Sequence, residues 1–531
     1  MKIFALAWLC AGLSACASSP TATSNLQSQP VLSATRAALK APGPPSVASG
    51  PAIPYNLEVL EVAGSTLPAL QSYSSAHAQG KWLVLGGRSA GLHGFGPGTN
   101  NFPRSTANTM AYVIDPSSNG VLGSVDLVAN LPANLSGPLT ASNPEFVQVG
   151  SQLVVLGGYG KDLASGKMTT FGSIISIDVD GLVSAIIAKN TKIAGYFLQN
   201  ASPDNRVRVT GGGLKYNSGI FYLVFGQNFT GDYSIKNGDY NKAGGQFQQY
   251  TEKVRAFTLG NGLAIKDFNQ VDGGYDPSLP YHRRDLNAVD IIRGDGQTPG
   301  AMVYGGVFKA GQVAGHTLPI DVGYSSNVAS VTVALQAGFN QALSQYDCAH
   351  LTVFDAASKS SFTTLLGGIS QYHYDASSGQ LVLDALNLSV GIDGLPFINT
   401  VSTVQHKPDS SFAQFIQPSA LPGLLGAEAQ FLHSLTLTTG AGGQLFDNGV
   451  INLPALTGRT LVGYVYGGIE SFGPYSTFGN PPPGSRASGR FFQVYVTPGA
   501  TAVLPMPPLP TNPTPYPPSL PLTTQPLDTK P

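Results

Sequence analysis

The chain has 531 residues, yet only three cysteines, two tryptophans and 11% charged side chains, with a net charge of −1. So few cysteines exclude a small scaffold stapled by disulfides. Near-neutral charge without a basic arm argues against a nucleic-acid partner, whose phosphates need a basic surface. No long amphipathic helix is evident. Gly-x-Ser-x-Gly, a phosphate-cradling glycine loop and His-Glu-x-x-His are all missing, so simple hydrolase readings lose support. The histidines His77, His93, His282, His316, His350, His373, His406 and His433 show no tight ligand spacing, and no metal or cofactor is expected. Asn237-Gly-Asp-Tyr-Asn241 begins like a calcium loop, but Lys242 replaces the glycine at its sixth position and Gln248 the glutamate at its twelfth.

Glycine, by contrast, is abundant at 64 residues, and it recurs in one figure. Ala301-Met-Val-Tyr-Gly305-Gly306-Val-Phe308 is a short apolar run ended by two glycines. It returns as Trp82-Leu-Val-Leu-Gly86-Gly87, Leu153-Val-Val-Leu-Gly157-Gly158, Tyr222-Leu-Val-Phe-Gly226-Gln227, Thr364-Leu-Leu-Gly367-Gly368-Ile369 and Gly463-Tyr-Val-Tyr-Gly467-Gly468-Ile469. Runs this short, and apolar on both faces, read as strands covered on both sides by other sheets. Glycine at their ends suits positive φ, or a backbone passing too close for a Cβ. Six copies predict six blades, and the widest interval, Gly367 to Gly467, predicts an insertion beside the last one.

A strand ending in Gly-Gly and followed by a later strand, such as Met110-Ala-Tyr-Val-Ile-Asp115 or Ser173-Ile-Ile-Ser-Ile-Asp178, resembles the Kelch β-propeller. The resemblance covers residues 55–497 and implies an all-β, six-bladed fold. Many kelch blades carry a tryptophan that is missing here, where Trp8 and Trp82 are the only two. The motif specifies fold far better than function, because kelch propellers serve as binding platforms, sugar epimerases and copper oxidases.

The N-terminus reads as a signal peptide: Lys2, then an apolar stretch from Ile3 to Leu13 too short to span a bilayer, then small residues. Leu13-Ser-Ala-Cys16 resembles the bacterial lipobox, which implies cleavage before Cys16, acylation of its sulfur and a membrane partner. Ala17 after the cysteine favours the outer membrane under the family pattern, facing the periplasm or the cell surface. Residues 1–15 are then the signal peptide and residues 16–54, poor in large apolar side chains, a disordered tether. Cys10 leaves with the signal and Cys16 is acylated, which leaves Cys348 no disulfide partner. Tyr55-Asn-Leu-Glu-Val-Leu-Glu-Val62 alternates as a strand and is expected to close the ring against Arg490-Phe-Phe-Gln-Val-Tyr-Val496. Beyond 497 the proline runs from Pro505 and from Pro513 predict an extended disordered tail with neither sheet nor helix.

The ligand face of such a propeller is expected where segments leading into each innermost strand meet those after the glycine pairs. Tyr281-His282-Arg283-Arg284-Asp285 is the densest polar cluster. An arginine fork there would hold a carboxylate. The competing structural reading lets strand alternation place Arg283 and Asp285 on one side and Arg284 on the other, in ion pairs between blades. Tyr372, His373 and Tyr374 form a second candidate, with rings able to stack on a sugar. The function expected is binding of an acidic carbohydrate or of an envelope protein's loop. The alternatives are a kelch-type mutarotase or epimerase, with His282, Glu145 or Glu428 moving a proton, and an envelope scaffold. A copper radical oxidase would need Cys348 and Tyr346 in roles that a lone buried thiol rarely takes.

Overall fold

In the computed structural model the described residues are 51–94, 100–233, 247–273, 280–309, 314–384, 394–475 and 484–509, all in one compact unit, Gly50–Pro531. The signal peptide, Cys16, the 237–241 loop and the tail from residue 510 lie outside them. The chain is an all-β propeller. Five blades are built on antiparallel meanders, to which the second adds Gln227–Thr230 and Phe247–Tyr250 and the fifth adds Ile451–Asn452 in parallel; their innermost meander strands are Ser74–Ala78, Ser142–Val149, Gly213–Asn217, Arg284–Ile292 and Ala349–Asp355. A further four-stranded sheet is composite. Ala429–His433, Thr460–Gly467 and Phe491–Ala502 come from the C-terminal part of the chain, and Ala52–Glu61 supplies the outer strand. The six glycine figures thus correspond to these five blades plus this composite sheet.

The closing strand pairs antiparallel with Phe491–Ala502 from Ala52↔Ala502 to Glu61↔Phe492. It starts at Ala52, before the expected boundary at Tyr55, and its partner runs on past residue 497. Leu504–Pro505 also forms a short edge strand against Phe415 and Ile416, against the expectation of no sheet beyond 497. A proline tolerates this position because an edge strand need not donate on its free side.

The glycine pairs explain why neighbouring sheets sit so close. Both members have positive φ in Gly86-Gly87, Gly157-Gly158, Gly305-Gly306, Gly367-Gly368 and Gly467-Gly468. A Cβ on Gly157 would lie 2.0 Å from Val209 O, and one on Gly367 2.0 Å from Leu425 O. These carbonyls belong to the segment leading into the next innermost strand. The amides of Gly87, Gly158, Gly368 and Gly468 donate to Ala141, Val209, Leu425 and Leu70 at 3.0, 2.8, 3.0 and 2.8 Å. The last of these joins the composite sheet to the first blade. In the third blade the left-handed pair is Phe225-Gly226, one residue earlier than the sequence figure, and Gly226 N donates to Arg283 O at 3.1 Å.

Apolar clusters fill the spaces between sheets. Trp82 of the first blade packs edge-on against Tyr464 and Phe491 of the composite sheet. The longest helix, Val179–Ile187, is capped by Asp178 and buries Leu182, Val183 and Ile186 in the core shared by the first two blades. Thr332–Leu335 forms the outer strand of the fourth blade.

Candidate functional site

Two sets of equivalent residues meet at the axis. The first lies at the start of each innermost strand or one or two residues before it: Ser72, Asn143, Gly211, Asp285, Asp347 and Glu428, all with positive φ between 46° and 67°. The second follows each glycine pair: Arg88, Tyr159, Gln227, Val307, Ile369 and Ile469. The residue just before a member of the first set makes main-chain hydrogen bonds to the second, as Gln71 does with Arg88 and Thr210 with Gln227. A cavity of about 120 Å³ lies among them. Phe102, Phe229, Tyr233, His93, Phe308 and Phe397 add an aromatic side to its wall. Ser72, Asn143, Asp285, Asp347 and Glu428 also line a second cavity of about 330 Å³ on the side of the innermost strands. They form the partition between the two.

Carboxyl groups dominate that partition. Glu428 accepts from Ser72 Oγ at 2.6 Å and from Asn143 Nδ2 at 3.0 Å. Burial, together with the charge and hydrogen bond of Glu428, pushes the Asp347 carboxyl well above the usual range. Like charges this close oppose each other's ionisation, and Asp347 is the carboxyl on which the site favours a proton. Burial pushes Asp285 up to about 6 despite the attraction of Arg284. Glu145, in the second cavity, accepts from Gly212 N at 2.7 Å and is pushed up to about 8, mainly by burial.

Two arginines face the first cavity. Arg284 donates to Asp285 and to the hydroxyls of Tyr250 and Tyr233. Arg88 is 4% exposed, its guanidinium lies 4.4 Å from the centre of the Phe102 ring, and its Nε has no hydrogen-bond partner. Burial lowers its pKa to about 10, which leaves it charged at neutral pH. His93, stacked among Phe102 and Tyr233, is pushed by burial to about 3 and stays neutral.

The residues singled out in the sequence divide sharply. Arg284, Asp285 and Glu428 line the cavity. Arg283 is fully buried and donates to the carbonyls of Pro280, Gly305 and Leu318, so it fixes backbone and does not face the cavity. Strand alternation fails here because Asp285 has φ 49°, which turns Arg284 and Asp285 to the same side, against the expected separation. His282 stacks on Tyr250 and pairs with Glu252, while Tyr281 packs on Phe225. Neither lines the cavity. Tyr372 packs with Leu343 and Leu381, Tyr374 lies against the same cluster, and His373 pairs with Asp384 at 2.5 Å. These three form a hairpin with Gln380–Leu383 and contribute nothing to the cavity wall. Cys348 donates its thiol to Gln345 O, and burial pushes that thiol up. Among the described residues no group of three or more His, Cys, Asp or Glu side chains is placed to hold a metal ion. Sequence reasoning missed Arg88. The signal was there in Gly86-Gly87-Arg88, since the residue after every pair reaches the cavity.

The sequence matches no family model and no curated protein. Solved structures do match. One, titled "Structure of YjhT", has a TM-score of 0.42 and 11% sequence identity, and the match covers 81% of this chain and 99% of that one.

Proposed function

We propose that this chain is a lipid-anchored, extracytoplasmic propeller of kelch type that binds an acidic carbohydrate in its axial cavity. The composite sheet counts as a sixth blade in this reading, supported by the hydrogen bond from Gly468 to Leu70, which repeats the contact made between successive blades. The lipobox-like Leu13-Ser-Ala-Cys16 supports anchoring at Cys16 in the outer membrane. The observation that carries the binding reading is one axial cavity that joins aromatic side chains, a buried arginine and a row of hydrogen-bonding carboxyl groups. Aromatic faces suit the apolar faces of a sugar, and placed polar groups fix its orientation. At about 120 Å³ the cavity favours a small molecule over a protein loop.

A second reading is mutarotation or epimerisation, and the Asp347–Glu428 pair favours it. Asp347, held well above the usual carboxylate range beside Glu428, is the member suited to give a proton, which opening a hemiacetal requires. Glu428 would take the proton of the anomeric hydroxyl while Asp347 gives one to the ring oxygen, whose bond to the anomeric carbon breaks. Recyclisation reverses both transfers.

Thermal shift with glucuronate and glucose tests the binding reading. At a hundredfold excess over Kd a ligand adds about 2.7 kcal/mol. Glucuronate is expected to raise the melting temperature of the wild type and to lose much of that effect in Glu428→Gln. Anomer exchange followed by NMR separates the enzyme from the binder, because Glu428→Gln removes catalysed exchange only in the former. No shift with either sugar would overturn the binding reading and leave an envelope scaffold.

A further inference from the structure

The cavity holds two cations, but only one is committed. Arg284 donates from each of its three nitrogens, to Asp285 and to two tyrosine hydroxyls. Arg88 makes no ion pair among the described residues, and its Nε is left without a partner although the side chain is 96% buried. A buried guanidinium normally finds a full set of acceptors, because desolvating a charge without hydrogen bonds is costly. Nearby carboxylates do not supply them. Glu428 is taken up by Ser72, Asn143 and Asp347, and Asp285 by Arg284. Phe102 covers one face of Arg88, and Arg88 lines the cavity.

We infer that Arg88 is the anion anchor of the cavity and the residue that makes it select a carboxylate over the matching neutral group. The inference deepens the carbohydrate reading and rests on the same cavity. It also gives the guest a size. Engineered cavities of about 150 Å³ take benzene, so about 120 Å³ holds roughly five non-hydrogen atoms at a time, enough for a carboxylate and the carbons next to it. The guanidinium fork fits a carboxylate in bidentate fashion, an arrangement that a lysine point charge does not reproduce.

Acetate and acetamide, equal in shape and different in charge, are the probes. Their affinities for the full chain, measured by calorimetric titration beside melting temperatures, give the result directly. Acetate is expected to bind the wild type at least tenfold more tightly than acetamide. Arg88→Gln should abolish the preference, and Arg88→Lys should reduce it several-fold while keeping its sign. Equal affinity of the two probes for the wild type overturns the inference, as does a preference that survives in a folded Arg88→Gln. If Arg88→Gln does not fold, Arg88→Lys decides: an acetate affinity unchanged from wild type overturns the inference, and a loss confined to acetate supports it. Acetate selection without binding of glucuronate or glucose would leave the anchor standing and remove the carbohydrate reading. Glucuronate and glucose binding equally well would do the reverse.

Discussion

Gly367 and Gly379 share a φ of 67°, but a Cβ on Gly367 would collide with Leu425 O whereas one on Gly379 would meet nothing within 4 Å. Gly379→Ala is therefore expected to cost about 1 kcal/mol, the left-handed penalty alone. Gly367→Ala should cost about 3 kcal/mol or more, because the neighbouring sheet must move. Denaturant unfolding of the two variants measures the difference. Arg283→Ala strands three carbonyl oxygens that lose their donors, at about 1 kcal/mol or more each, and is expected to lower the melting temperature without changing the affinity for any ligand. Glu145 gives a pH signature. Its carboxyl is raised from 4.5 to about 8 in the fold, so the folded state keeps a proton that the unfolded state releases. Its contribution to stability is unimpaired below about pH 4.5 and falls as pH rises toward 8, by up to about 1.4 kcal/mol per unit. Glu145→Gln should be more stable relative to wild type at pH 8 than at pH 5, and unfolding at both pH values reads that sign. At this scale the sequence disclosed the polar cluster but not its wiring. A single positive φ at Asp285 undoes strand alternation, and nothing in Arg283-Arg284-Asp285 announces it. Arg88 was within reach, because aligning the residue after each glycine pair would have placed it beside Tyr159 and Gln227.

At the scale of elements, the strands ending in glycine were legible because apolar runs of four residues have few other fates between packed sheets. The ring-closing strand was legible too, through its alternation. The helix Val179–Ile187 was not: its residues follow a strand without a break, and the cap at Asp178 serves as the last strand residue as well. The hairpin Tyr372–Asp375 with Gln380–Leu383 was mistaken for a channel loop because its aromatic residues look alike whether they face a ligand or a neighbouring cluster. Closure makes a further prediction. Deleting Ala52–Glu61 leaves Phe491–Ala502 with a bare edge and exposes the pocket that Tyr55 fills, where its hydroxyl meets Thr364 Oγ1 at 3.1 Å. The truncated chain is expected to lose cooperative unfolding and to associate through that edge, as seen by light scattering. Tyr55→Phe, which keeps the ring and removes the hydroxyl, should cost only about 1 kcal/mol.

For the whole molecule, repetition is what made the architecture readable and the chemistry obscure. Each blade offers the same two axial positions, and evolution has filled them with Ser, Asn, Gly, Asp, Asp and Glu in one set and Arg, Tyr, Gln, Val, Ile and Ile in the other. No local motif marks such a site, because its members are separated by whole blades. The proposed anchor is tested at this scale: Cys16→Ser is expected to move the protein from the membrane to the soluble fraction on cell fractionation, and unchanged membrane recovery would remove acylation at Cys16 from the reading.

The composite sheet has one more consequence, and it is mechanical. Ala52 lies opposite Ala502 and Val503 N donates to Pro51 O at 3.1 Å, so both ends of the propeller leave from the same corner. A load applied between residues 51 and 503 pulls the closing strand away from its partner at that corner, breaking the ladder rung by rung in the manner of a zip. A load between residue 61 and residue 502 would instead break all its rungs together. Handles placed at these two pairs in an optical trap should therefore yield a low force in the first case and a high one in the second, with the ring giving way at the same seam in both.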